Sequence, residues 1–187
     1  MNPPARRIEP QSSVLLIVDV QARLAPHVLG AQGVEQRCIA MAKAARALDV
    51  PVFLTEHCAE ALGATLPSIV EAVPGSHVIR KRHFSAMDEA ELPETLGKSA
   101  RRQVLIAGME AHVCVMQTAL GLLAAGYECW LAADAVGSRR ADDRQIAIER
   151  MRESGATVVS AEIALFEWLR HADHAAFRSV QKLVKDY

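Results

Sequence analysis

The chain has 187 residues, 51% of them hydrophobic, enough to enclose one substantial core and short for two. Its 21 Lys plus Arg stand against 22 Asp plus Glu, and the net charge of -1 supplies none of the positive field that nucleic acid binding requires. The opening MNPPARRIEPQSS lacks the apolar centre of a secretory signal, and no stretch approaches the ~18 apolar residues of a membrane span. A single domain over 1–187 is expected, with 1–12 an extended N-terminal segment, in the cytoplasm, without a membrane or nucleic acid partner.

In chain order, short β-branched apolar runs alternate with helical patterns. VLLIVDV (14–20), PVFLTE (51–56), HVIRK (77–81), QVLIAGM (103–109), ECWLAADAV (128–136) and TVVSA (157–161) read as strands. Several show no in/out alternation, which suits a sheet covered on both faces. Between them, VEQRCIAMAKAARALD (34–49), ELPETLGK (91–98), CVMQTALGLLAAG (114–126) and ADDRQIAIERMRES (141–154) read as helices, followed by EIALFEWLR (162–170) and a tail that forms one more. The stretch 58–76 reads as a partly helical connection bordering a site. Strict alternation predicts a three-layer αβα sandwich around a mostly parallel sheet of about six strands with right-handed crossovers.

Open parallel sheets bind ligands beyond the carboxyl ends of their strands, where the winding reverses. Three groups fall at such ends. Asp19 interrupts the apolar run LLIVDVQ, and a carboxylate there is costly unless paired or used. Lys81 closes the third strand. Cys114 follows the fourth by a short turn, at the start of a helix whose positive end, with a nearby ammonium, favours a thiolate. From position alone, Cys114 as a nucleophile and Cys114 as a small buried hydrophobe are both open. Cys38, Cys58 and Cys129 have no C-x-x-C or zinc-type spacing and read as structural, as does His112 two residues before the thiol.

Taken together, VDVQ at the end of the first strand, KRHFSAM in the middle and AGMEAHVCVMQTALGLLAAGYECWLAADAVGSR resemble the isochorismatase-like, or nicotinamidase-related, cysteine hydrolases. The resemblance spans nearly the whole chain. TEH followed by ALGATLP, with GMEAHVCVMQT, is similar to the isochorismatase-domain-containing branch. It implies the strand order 3-2-1-4-5-6, a catalytic triad of Asp19, Lys81 and Cys114, and a non-proline cis peptide between Met109 and Glu110. It further implies an oxyanion hole from the backbone N–H groups of Glu110 and Cys114, and substrate contacts from Leu24, His57, Phe84 and Glu110. The implied reaction is hydrolysis of a small carboxamide through a thioester, with no cofactor.

Two departures narrow this. Metal-dependent relatives carry Asp-x-His after the second strand, where this chain has Thr55, Glu56 and His57, so no metal is expected, and His77 reads as a hydrogen-bonded structural residue. Isochorismatases proper generally lack the cysteine, so Cys114 points away from vinyl-ether hydrolysis. Hydrolysis of an ester, a carbamoyl group or an isochorismate-like ether at the same triad, and an oligomeric binding protein that keeps the fold, remain the alternatives. The nearly all-apolar helix 114–126, with Gly121 allowing close approach, points to burial by the sheet or by a second copy in a homo-oligomer.

Overall fold

The computed structural model describes residues 7–186. Six strands, β1 (Ser13–Val18), β2 (Val52–His57), β3 (His77–Lys81), β4 (Gln103–Met109), β5 (Glu128–Gly137) and β6 (Thr157–Val159), form one sheet in the order β3-β2-β1-β4-β5-β6. Every pairing is parallel. The chain winds outward through β2 and β3, then returns past β1 to build β4, β5 and β6. The reversal lies between β1 and β4, the position where open α/β sheets hold ligands.

The helices are α1 (Ala31–Ala47), α2 (Ala59–Leu62), α3 (Pro67–Ala72), α4 (Glu91–Ser99), α5 (Met116–Ala124), α6 (Ala141–Glu153), α7 (Ala161–Leu169) and α8 (Phe177–Lys185). They cover both faces of the sheet. On β1, Leu15 and Ile17 join one core with Met41 of α1 and Leu165 and Trp168 of α7, while Val14, Leu16 and Val18 join the other with Leu96, Leu122 and Met151 from α4, α5 and α6. Neighbouring strand residues point to opposite faces. All six residues of β1 and all seven of β4 are therefore buried, which is why neither run alternates in polarity. Each such Val, Leu or Ile contributes roughly 1.5–3 kcal/mol of burial.

The registers bring the four strand ends within two residues of one another. Val18 is paired with Thr55 on one side and Gly108 on the other, and His57 with Lys81. Gly108 has no substitute: at φ +123 it lies so close to β1 that a Cβ would meet the Val18 carbonyl oxygen at 2.0 Å. Strand boundaries fall within two residues of the sequence expectations. The stretch 58–76 does hold short helices, α2 and α3.

Three differences matter. The helix expected from 114 begins at Met116, because Ala111–Val115 form a wider π-helical turn in which the Glu110 carbonyl accepts from Val115 N–H at 3.2 Å. Gly121 of α5 packs inside the chain, where a Cβ would come within 2.8 Å of Met87 Cβ. Of the segment 1–12, residues 1–6 lie outside the described residues; Ile8 is fully buried, with its N–H donating to Glu167 Oε2 at 2.8 Å. Among the described residues, no helix is long and apolar enough to cross a membrane.

Candidate active site

Asp19 follows β1 in the left-handed region, at φ 49, which turns its side chain away from the strand line. Its N–H donates to both the Thr55 carbonyl and hydroxyl at 3.2 Å, and the Thr55 hydroxyl donates back to Asp19 Oδ1 at 2.6 Å. Lys81 lies two strands away, at the end of the edge strand. Its ammonium reaches across β2 to stand 2.7 Å from Asp19 Oδ2, and both side chains are 0% exposed. The same ammonium donates to the carbonyls of Phe84 at 3.1 Å and His83 at 3.4 Å. An enclosed ion pair survives only with such supplementary partners. Oδ2 has no well-aligned donor: the ammonium faces it at close range but off the axis of a hydrogen bond.

Cys114 sits in the π-helical turn, 5% exposed, with the Asp19 carboxylate and the Lys81 ammonium as the charges that act on its thiol. The structure thus brings together three side chains separated by 62 and 33 positions in the sequence. The thiol is pushed up to about 12, first by burial and then by the neighbouring Asp19 charge, with Lys81 opposing. This differs from the sequence expectation of a ready thiolate. The π-helical turn separates the sulfur from the start of α5, and the charge beside it includes a carboxylate as well as an ammonium. The resting sulfur keeps its proton next to a group able to take it.

The Met109–Glu110 peptide bond is cis. The Glu110 side chain is buried and held by Arg139, whose Nη2 is 2.7 Å from Oε2 while its Nε and backbone N–H both reach Oε1 at 3.0 Å. The Arg139 guanidinium holds that carboxyl below the usual range. The side chain expected to contact substrate is therefore committed to Arg139. His112 is 3.0 Å from Ser138 Oγ through Nδ1 and 3.9 Å from Asp143 through Nε2. Leu24 is half-buried and packs on the core on the α1 side of the sheet. Phe84, by contrast, is 51% exposed, with its ring 5.3 Å from that of His57.

Several residues that shape this region were not legible in advance. Gln21 spans two chain segments, accepting from His57 N–H at 2.9 Å and donating to the carbonyls of His57 at 3.1 Å and Gly63 at 2.6 Å. Glu56 accepts from Thr65 N–H at 2.8 Å and Oγ1 at 3.0 Å. Glu89 accepts from the backbone N–H groups of Arg82 and His83, which with the His83 ring hold its carboxyl at about 2 and brace the segment carrying Phe84. A cleft of about 460 Å³ is lined by Glu56, Cys58, Glu60, Arg82 and Glu89 and passes Lys81, whose side chain is itself enclosed. Among the described residues, no cluster of three or more His, Cys, Asp or Glu is arranged to hold a metal ion.

Comparison with known proteins decides the family. The isochorismatase domain model matches residues 13–163. The chain is a member of the isochorismatase family. It is 37% identical over 180 residues to isochorismatase domain-containing protein 2A of Mus musculus, covering 96% of this chain and 86% of that one. Among solved structures it is similar to the MAR1 ribonuclease of Caenorhabditis elegans, with a TM-score of 0.91 and 32% identity over 96% of this chain and 93% of that one. The Escherichia coli YcaC gene product, described as an octameric hydrolase of unknown specificity, shares the fold at a TM-score of 0.87 and 22% identity, covering 100% of this chain and 98% of that one. Both the three-layer fold and the strand order 3-2-1-4-5-6 agree with these relatives, and membership of this family supports a hydrolase.

Proposed function

We propose that this isochorismatase-family protein is a metal-independent cysteine amidase that cleaves the C–N bond of a small carboxamide, with Asp19, Lys81 and Cys114 as its triad. The observation that carries the reading is the enclosed Asp19–Lys81 pair, 2.7 Å apart, whose charges both act on the Cys114 thiol. Asp19 takes the thiol proton as the sulfur attacks the amide carbonyl, and Lys81 balances the negative charge that passes from carboxylate to sulfur. The carbonyl oxygen becomes an oxyanion held by the N–H groups of Glu110 and Cys114. As the C–N bond breaks, Asp19 returns the proton to the departing amine, leaving a thioester. Water, deprotonated by Asp19, then cleaves the thioester to carboxylic acid and free thiol.

Surrounding residues support an uncharged substrate. Arg82 is paired with Glu60 at 2.7 Å and Lys81 with Asp19, so these cations already face carboxylates. That pattern favours a small neutral amide over a phosphodiester or a dicarboxylate. Four unpaired cysteines fit a reducing, cytoplasmic setting. The strongly exposed Leu29 and Ile146, together with the octameric YcaC likeness, support a homo-oligomer.

The test is a panel of small carboxamides, esters and an RNA oligonucleotide assayed with the wild-type chain and Cys114→Ala. Acid and amine release in the wild type alone is the expected result. RNA cleavage undiminished in Cys114→Ala, with no amide turned over, would replace this reading with another.

A further inference from the structure

Glu110 opens the turn that carries Cys114, and its side chain is only 5% exposed. Enclosing a carboxylate is costly unless donors surround it, and a well-packed apolar side chain would fill the same space more cheaply. Three donors from a single residue meet it: the Arg139 backbone N–H and Nε both reach Oε1 at 3.0 Å, and Nη2 reaches Oε2 at 2.7 Å. A guanidinium fork of this kind fixes a carboxylate in distance and in plane, which a point charge does not. The sheet sets up the encounter. Met109 is paired with Gly137, so the chain leaves β4 and β5 side by side, with Glu110 following one and Ser138 and Arg139 the other. A second contact ties the same two segments, His112 Nδ1 lying 3.0 Å from Ser138 Oγ.

The main chain carries that hold to the sulfur. The Glu110 carbonyl accepts from the N–H groups of Val113 at 3.1 Å and Val115 at 3.2 Å, the residues on either side of Cys114. The residue gripped by Arg139 is thus the one on which the nucleophile's turn is hung. We propose that Arg139 is a positioning residue: acting through Glu110, it holds this turn so that the Cys114 sulfur and the N–H groups of Glu110 and Cys114 meet the same carbonyl. The inference rests on the amidase reading. A role in stability alone would lower the melting temperature and leave kcat of the folded enzyme unchanged.

Two measurements on the full chain separate this inference from the reading beneath it. In the first, kcat and KM for a turned-over carboxamide are compared in wild type, Arg139→Ala and Arg139→Lys. Arg139→Ala is expected to lower kcat roughly ten- to hundredfold with KM within about twofold, less than outright loss of an oxyanion donor, because the backbone N–H of residue 139 still holds Oε1. Arg139→Lys keeps a cation over the carboxylate, which protects the fold, but cannot form the fork, and is expected to recover only a small part of kcat. An unchanged kcat in Arg139→Ala, a rise in KM alone, or a Lys variant as active as wild type would overturn the inference. In the second, calorimetry on wild type and Arg139→Lys compares the aldehyde of the same acid with the corresponding alcohol. The thiol adds across the aldehyde C=O, the S–C bond forming as the thiol proton passes to oxygen, with nothing oxidised or reduced; the alcohol cannot react. Aldehyde affinity is expected to fall roughly tenfold in Arg139→Lys with the alcohol within about twofold, since only the adduct resembles the transition state. Equal losses on both, or none, would overturn it. A selective loss of aldehyde affinity supports the inference even if the wild type turns over no amide, in which case the amidase reading alone fails. Amide turnover indifferent to Arg139 would leave the amidase reading standing and remove this one, and a wild type that neither turns over amides nor forms the adduct would remove both.

Discussion

Cys114 and Cys129 lie in one apolar layer of the molecule, on the same face of the sheet, and both thiols are pushed up to about 12. Near the start of β5, burial alone accounts for the shift at Cys129. At the turn after β4, burial is joined by opposing contributions from Asp19 and Lys81. Two thiols with the same resistance to ionisation thus have different prospects: one is surrounded by carbon, the other is acted on by a base and an ammonium. A raised or lowered pKa does not by itself distinguish a site from a core; the identity of the neighbouring groups does.

The comparison breaks most sharply under paired substitution. Cys114→Ala should lower turnover on the order of 10³-fold or more while the fold is retained, since the nucleophile is lost. Cys129→Ala should cost about 1–2 kcal/mol of stability and leave kcat/KM unchanged. Activity assays beside urea unfolding check both, and equal activity losses would erase the distinction drawn here. Asp19→Asn removes the charge facing Lys81 and should destabilise by about 3–5 kcal/mol, because an enclosed ammonium is left without its counterion. A variant as stable as the wild type would mean that the ion pair is not enclosed.

Smaller effects sharpen the picture. Gly108→Ala forces a Cβ against the Val18 carbonyl in a left-handed conformation and should cost more than about 2 kcal/mol, visible as a lowered melting temperature. The smallest effect concerns alkali. A thiol raised from 9.0 to about 12 on folding contributes stability that is full below pH 9 and is lost between pH 9 and 12, as the unfolded thiol ionises first. Removing Cys129 should therefore flatten the fall in melting temperature between pH 8 and 10. An unchanged slope would show that this thiol ionises equally in both states.

Much of the architecture was legible because the strands are apolar on both faces and the helices intervene at regular intervals. β1 and β4, fully buried, could hardly be read otherwise. The site was legible differently. Asp19 stood out as a charge in an apolar run, but Lys81 ends an edge strand, the ordinary place for a surface lysine, and its weight came from its company at the strand ends and from the family resemblance. What stayed hidden depended on partners remote in sequence. Thr55 orients Asp19 across 36 positions, and Arg139 claims Glu110 across 29. The expectation of a thiolate failed for a related reason: it weighed the helix and the ammonium, but the depth of the sulfur and the wider turn around it arise from packing.

The central claim is that Cys114 becomes acylated. Intact-protein mass spectrometry on a quenched reaction of the wild-type chain with a turned-over carboxamide, followed by peptide mapping, addresses it directly. The account predicts a mass gain equal to the acyl group, on the peptide containing Cys114, and absent from Cys114→Ala. An adduct mapped to Cys58, or amide turnover that continues in Cys114→Ala, would contradict it.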